Sequence, residues 1–292
     1  MQLAFNDITT DLIQLPGIKD IGVFVLRLDK LHPVVSGNKW FKLRYYLADA
    51  AEQKKKRIVT FGGAWSNHIV ATAAASKMYG FASAGIIRGE EPLSWSHTLL
   101  QAKEYGMELY FISREEYQHK KIPAGLLTDD NYYINEGGSG EKGVEGASSI
   151  LDHTSKNFTH YCCAAGTGTM MAGLINAMLP GQKVTGISVM KNNFELEEQV
   201  RCLSKSTSRE WNIIHDYHFG GYAKYKPDLF QFMNGFYRQT GVPSDFVYTG
   251  KLFFGVSDLL KNRFFPAGSR LLLIHSGGLQ GNASLEKGTL IF

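Results

Sequence analysis

Short apolar runs alternate along the chain with segments in which apolar positions recur at helical spacing. The runs "GVFVLRL" (22–28), "RIVTFGG" (57–63), "FASAGIIR" (81–88), "MELYFIS" (107–113), "YYIN" (132–135), "THYCCAA" (159–165), "KVTGISVM" (183–190) and "SRLLLIHSGG" (269–278) read as strands. Helices are expected over 39–53, 67–79, 95–105, 144–155, 170–179, 194–206, 227–240 and 253–262. Strands that are apolar almost throughout, rather than at every second position, are covered on both faces, and the intervening helices supply the cover. The expected fold is α/β with open parallel sheets. There is no internal repeat or low-complexity linker, and composition marks no domain boundary.

Glycine punctuates this pattern, at 31 of 292 residues against roughly 7% in average usage. The excess gathers at strand exits: "FGGAWSN", "NEGGSGEKGVEG", "AAGTGTMMAG", "FGGY" and "HSGGLQGN". Any one of these could be a tight turn. Five together suggest one cleft, because open α/β sheets bind ligands beyond the carboxyl ends of their strands.

The composition, 44% hydrophobic and 20% charged over 292 residues, suits an enzyme-sized globular chain with room for two lobes. A formal charge of +4 is scattered, and its only basic run, Lys54 to Arg57, reads as a solvated helix end rather than a nucleic-acid patch. Three cysteines give neither a disulfide framework nor a metal-ligand spacing, and adjacent Cys162 and Cys163 read as strand packing. No signal pattern opens the chain, and no apolar run reaches the ~18 residues of a membrane span. A cytoplasmic protein without nucleic-acid, membrane or metal partners is expected.

Three stretches could carry chemistry. In "SGNKWFKLRYY" (36–46) a Gly-Asn turn places Lys39 at the mouth of a helix, where the dipole disfavours positive charge and would lower the amine's pKa. In "CCAAGTGTMMAGL" (162–174), Gly166, Thr167, Gly168 and Thr169 lie between a strand and a helix, so inward N–H groups and the helix terminus could cradle a phosphate. The spacing matches neither a Walker A loop nor GxGxxG, and a plain strand–helix turn is the alternative. In "TFGGAWSNH", Ser66, Asn67 and His68 open an alanine-rich helix. Ser66 or Asn67 would cap it, and the free N–H groups could hold a carboxylate. The spacing excludes a GxSxG elbow. Tyr248, Thr249 and Ser276 stand at later element ends. A phosphate cradle, a lysine at a helix mouth, an asparagine after a glycine-rich turn and a polar group after a late strand are the parts of a pyridoxal phosphate site.

The chain resembles the 1-aminocyclopropane-1-carboxylate (ACC) deaminase / D-cysteine desulfhydrase family, of the tryptophan-synthase-β-like, fold type II pyridoxal phosphate enzymes. The resemblance spans about residues 22–279 and rests on "SGNKWFKL", "GGAWSNH", "NEGGSGEKGVEG", "AAGTGTMMAGL", "GGYAK", "VYTGK" and "HSGG", in that order. It implies two open parallel-sheet lobes with the cofactor between them: residues 1–43 with 146–292, and residues 44–145. It also implies a homodimer acting on a small amino acid.

By this resemblance Lys39 forms the Schiff base and moves the Cα proton, and Lys42 reaches the phosphate held by residues 166–169. Asn67 bonds the ring hydroxyl, and Ser276 faces the pyridine nitrogen. Ser66 and the amides near His68 grip the substrate carboxylate, while Tyr222 and Tyr248 carry protons or position the substrate. Thr249 stands where ACC deaminases resemble one another in having glutamate and D-cysteine desulfhydrases have threonine. Elimination from D-cysteine, giving pyruvate, ammonia and sulfide, is therefore expected. ACC deamination is the alternative, and a silent binding relative is a third reading. Phe41, Trp65 and Met170 depart from the family's arginine, glutamine and threonine, and Met170 removes one expected phosphate hydroxyl.

Overall fold

The computed structural model describes residues 3–205 and 209–292. In chain order its elements are β1 (Thr10–Ile13), β2 (Gly22–Arg27), α1 (Asn38–Glu52), β3 (Arg57–Gly62), α2 (Asn67–Met78), β4 (Ala82–Arg88), α3 (His97–Glu104), β5 (Met107–Ile112), α4 (Arg114–Gln118), β6 (Asn131–Ile134), α5 (Glu141–Ser148), β7 (His160–Ala165), α6 (Thr169–Ala177), β8 (Lys183–Ser188), α7 (Leu196–Leu203), β9 (Glu210–Ile214), α8 (Pro227–Thr240), α9 (Thr249–Lys261) and β10 (Arg270–His275), with short 3-10 turns between some of them.

Among the described residues two sheets form. One runs β1-β2-β10-β7-β8-β9 and is parallel except for β1; the other, β5-β4-β3-β6, is parallel throughout. The expected α/β class with parallel sheets holds, for the expected reason. In β7 every position is buried, and in β3 and β10 all but the first. The sheets share a core: Ile58 and Ile134 of the smaller sheet join Tyr161, Cys163, Leu272 and Ile274 of the larger through Phe41, Leu43 and Leu47 of α1. The boundaries expected at 43/44 and 145/146 fall inside α1 and α5, which pack on each other.

Three elements had no counterpart in the hydrophobic pattern. β1 and β9 are edge strands of four and five residues with mostly half-exposed positions, so neither carries a full apolar run. The five-residue α4 is too short for helical periodicity, although its capping box, Ser113 with Glu116, is a readable start signal. The helix expected over 144–155 begins earlier and ends at Ser148, giving way to a 3-10 turn over Ser149–His153. The last residue expected for the 194–206 helix lies outside the described residues, and α7 itself ends at Leu203.

Phe41 is fully buried in the shared core, its ring 5.3 Å from that of His153. An arginine there would bury an unpaired charge, so this departure belongs to packing. Cys162 and Cys163 face different cores, and burial pushes the Cys163 thiol up to about 12 and Cys162 higher still. Of the basic run, Lys56 pairs with Asp130 at 3.0 Å and Arg57 with Glu108 at 3.1 Å. No described helix is long and apolar enough to cross a membrane.

Candidate active site

The exits of β3, β4, β6, β7 and β10 open onto one cleft of about 890 Å³. Lys39, Lys42, Ser66, Asn67, His68, Gly166, Thr167, Gly168, Tyr222, Tyr248 and Ser276 all line it. Segments far apart in the chain thus line one cleft.

The lysine's place is set by a backbone crossing. Gly37 has φ 59° and ψ −136°, a region that side chains exclude, and a Cβ there would collide with the Ser276 carbonyl. That same carbonyl accepts from Asn38 N at 3.2 Å, tying the start of α1 to the exit of β10. Lys39 Nζ donates to Asn38 Oδ1 at 3.3 Å and lies 5.9 Å from the Tyr248 ring centre. One turn on, Lys42 is buried and its Nζ reaches Gly137 O at 3.2 Å. Burial lowers the Lys39 amine to about 8, against a partial counter-effect of Asp245. Burial, and then Lys39 itself, holds Lys42 well below the usual lysine range.

Ser66 is the N-cap of α2, its Oγ accepting from His68 N at 3.2 Å and Ile69 N at 3.4 Å. Asn67 is buried, and its Oδ1 has no partner among the described residues. His68 bonds Thr60 Oγ1 at 2.8 Å; burial, then the two lysines, push its ring well below the usual histidine range, so it is neutral. At the β7 exit Gly168 takes φ 72°, and a Cβ would lie 2.8 Å from Val200 of α7. The loop is thereby free to turn its amides toward the cleft.

Two expected contacts are corrected. Thr249 does not line the cleft: it is fully buried at the start of α9, and its hydroxyl donates to Asp245 Oδ2 at 2.7 Å. Thr169 is also fully buried, its hydroxyl 3.0 Å from that of Thr167, which does face the cleft. Met170 lines the cleft while also packing into the shared core.

Asp245 is the main residue the sequence did not signal. Its Oδ1 accepts from Val247 N and Tyr248 N at 2.9 and 2.7 Å, and its Oδ2 from the amide and hydroxyl of Thr249 at 2.9 and 2.7 Å. These bonds satisfy the open amides at the head of α9 and explain why it starts at Thr249, four residues before the expected 253. Lys251 plays a similar part for Tyr222: its buried Nζ donates to His218 O at 2.8 Å and Gly221 O at 2.7 Å, fixing the loop before that tyrosine. Tyr222 and Tyr248 stand edge to face, 6.1 Å between ring centres. Tyr222 is exposed and Tyr248 half-buried, yet desolvation around their hydroxyls raises both phenols, Tyr248 the more, and both are protonated donors near neutrality.

Among the described residues Glu136 is the one carboxylate lining the cleft, and it pairs with Lys120 at 2.9 Å. Two crowded lysines and a helix terminus facing no free carboxylate form a strongly anion-seeking pocket. An aldehyde that carries a phosphate meets these needs: the depressed amine for the aldehyde, the 166–168 amides with Lys42 for the phosphate, and the unpartnered Asn67 amide for a ring hydroxyl. The residues present fit pyridoxal phosphate.

The family described as "Pyridoxal-phosphate dependent enzyme" matches residues 4–277. The chain belongs to that family. Within it, the chain is 30% identical over 286 residues to a Pyrococcus abyssi protein provisionally named a 1-aminocyclopropane-1-carboxylate deaminase, covering 89% of this chain and 86% of that one. It is 29% identical over 302 residues to the Arabidopsis thaliana bifunctional D-cysteine desulfhydrase/1-aminocyclopropane-1-carboxylate deaminase, covering 91% of this chain and 75% of that one. The crystal structure of an ACC deaminase homologue superposes with TM-score 0.81 at 26% identity, over 94% of this chain and 90% of that one. This pyridoxal phosphate enzyme is thus of the ACC deaminase / D-cysteine desulfhydrase kind.

The depressed lysine has a kinetic consequence. Covalent capture of the cofactor needs a neutral amine, so if Lys39 is that amine, reconstitution of the cofactor-free enzyme should speed up roughly tenfold per pH unit below about 8 and level off above it. An ordinary lysine would keep accelerating to about 10.4. Stopped-flow absorbance of the reconstitution across pH 6–10 checks this, and a plateau only above about pH 10 contradicts it.

Proposed function

We propose that this enzyme eliminates the β-substituent of a small amino acid, D-cysteine being the reference substrate, and releases pyruvate and ammonia. The observation that carries the proposal is the neutral wall of the cleft on the larger-sheet side. There the polar group beyond β10 is the Ser276 hydroxyl, and the nearby carboxylate, Asp245, is spent on the head of α9. A carboxylate against the pyridine nitrogen would keep that nitrogen protonated and make the ring a stronger electron sink. Opening a cyclopropane that lacks a Cα hydrogen calls for the stronger sink. Loss of a thiol from a substrate with an acidic Cα–H calls for less.

When bound, pyridoxal phosphate supplies the sink for the electron pair left at Cα. The chain's own groups would do the rest. The Thr167 hydroxyl, the amides of residues 166–168 and Lys42 hold the phosphate, Asn67 holds the ring hydroxyl, and Ser276 faces the ring nitrogen. The Ser66 hydroxyl and the amides at the head of α2 hold the substrate carboxylate. Lys39 Nζ, depressed to about 8, takes the Cα proton. The phenols of Tyr222 and Tyr248, protonated near neutrality, donate toward the departing thiolate.

The names of the Pyrococcus and Arabidopsis relatives support ACC deamination as the second reading. Pyruvate release from D-cysteine and β-chloro-D-alanine, with little 2-oxobutanoate from ACC, is the expected result. Efficient turnover of ACC without D-cysteine turnover would overturn the proposal. The resemblance also implies a homodimer, which light scattering during gel filtration tests.

A further inference from the structure

The wall of the cleft formed by the smaller sheet carries a cation that the proposed chemistry does not use. Arg88 ends β4 and lines the cleft. It is exposed at the rim of the cleft, and among the described residues its guanidinium makes no ion pair. The carboxylate on that wall, Glu136, already pairs with Lys120 at 2.9 Å. Arg88 and Lys120 both lie beside the Tyr117 ring, with 5.9 and 4.4 Å to its centre. Summed over Arg88, Lys120 and Glu136, the wall has a net charge of +1, and Arg88 is its uncompensated member.

Its position is also informative. Arg88 Nη2 lies 3.9 Å from where a Cβ on Gly63 would stand, and Gly63 opens the turn that ends at Ser66. The cation therefore flanks the helix terminus suited to an α-carboxylate. Its charge also acts on the Tyr222 phenol, one of the proposed donors to the leaving group. A substrate held between Ser66 and Tyr222 would present its β-substituent to this wall.

We propose that Arg88 is a specificity-determining residue for a second anionic group, so that the preferred substrates are amino acids whose β-substituent is a phosphate ester or a sulfonate. The inference rests on the proposed β-elimination. The Cα proton passes to Lys39, and the Cβ–X bond breaks with its electron pair leaving on X as phosphate or sulfite. The 2-aminoacrylate that remains is hydrolysed to pyruvate and ammonia. No oxidant or reductant is required. A guanidinium is suited to X because its planar fork matches the paired oxygens of phosphate or sulfonate.

The test uses the holoenzyme and both hands of each compound. Binding of 2-amino-3-phosphonopropionate, whose C–P bond does not break, is titrated calorimetrically against alanine. Turnover of O-phosphoserine and cysteate is measured against β-chloroalanine. Wild type should bind the phosphonate at least roughly tenfold tighter than alanine. Arg88→Ala should cancel that advantage and lower the ratio of kcat/KM for the anionic substrates to that for β-chloroalanine by about 10- to 100-fold. Arg88→Lys should retain part of both effects. Comparing the phosphate and sulfonate arms shows which anion is preferred. Equal losses for alanine and phosphonate would place Arg88 on the α-carboxylate and overturn the proposal, as would equal affinities in wild type and Arg88→Ala. Turnover of β-chloroalanine with no anion preference would sink this inference and leave the elimination standing. Absence of pyruvate from every compound would sink the elimination, while the titration would still decide the role of Arg88.

Discussion

Lys39→Ala should yield a folded protein that has lost the visible absorption of the bound cofactor and at least about 10³-fold of its turnover. Lys39 is proposed both to anchor the cofactor and to carry the Cα proton, and a positioned general base alone contributes about 10²–10⁴-fold. The amine lies in the cleft, and its neutral form is within reach at physiological pH because burial lowers it to about 8. The rival is Lys42, one turn along α1. It is buried with Nζ against Gly137 O, and one i,i+3 step separates the two amines. Borohydride reduction of the holoenzyme followed by peptide mapping distinguishes them. A label on Lys42, or retention of the absorption band in Lys39→Ala, would refute the assignment. The alanine side chain is compatible with the first turn of a helix, so the melting temperature should change little apart from the stabilisation that bound cofactor confers.

Gly37→Ala should be the most damaging single-methyl change in the site. Two costs combine. The backbone at φ 59°, ψ −136° is one that an alanine rarely adopts, and the added Cβ would strike the Ser276 carbonyl, a backbone atom with no flexible side chain to yield. Relief requires α1 to separate from the β10 exit, breaking the bond from Asn38 N to Ser276 O. A loss of about 4 kcal/mol is expected, or roughly 8–15 °C in Tm for a chain of this size. Lys39 and Ser276 would separate together, so cofactor retention on dialysis should fall even in the fraction that stays folded. Thermal melts and cofactor absorbance check the two consequences separately. Wild-type values for both would show that the crossing is not the constraint it is taken to be. Gly277→Ala is a useful companion, since its φ of 76° and its approach to Gly37 N from the other strand belong to the same crossing.

Several corrections share one origin. Thr249 stands at the position that, by the resemblance, separates the two activities, yet of the Tyr248-Thr249 pair only Tyr248 faces the cleft. The Thr249 side chain is turned into the protein and held by Asp245. The preference for elimination therefore rests on the wall as a whole, with Ser276 at the surface and Asp245 withdrawn, rather than on one threonine. In the same way the phosphate loop reads correctly as a loop, but of its two threonines only Thr167 reaches the cleft.

The sequence by itself determined the parallel α/β class, the order of the main elements and the glycine-rich exits that gather at one cleft. These properties are local. Burial on both faces of a strand shows as an unbroken apolar run, a backbone turn at φ above zero shows as glycine, and a capping hydroxyl shows as serine before an alanine-rich helix. Tertiary structure alone decided which polar groups those loops bring together. Asp245 reads as an ordinary loop acid until its carboxylate is seen under the head of α9. Lys251 reads as an exposed helix lysine until the carbonyls of His218 and Gly221 are found around it, 33 and 30 residues away in the chain. Arg88 closes a strand in sequence, and only the fold brings it to the cleft wall beside the pair made by Lys120 and Glu136, the latter from another strand exit. Whether a charge is spent or free depends on partners that the chain brings together only by folding.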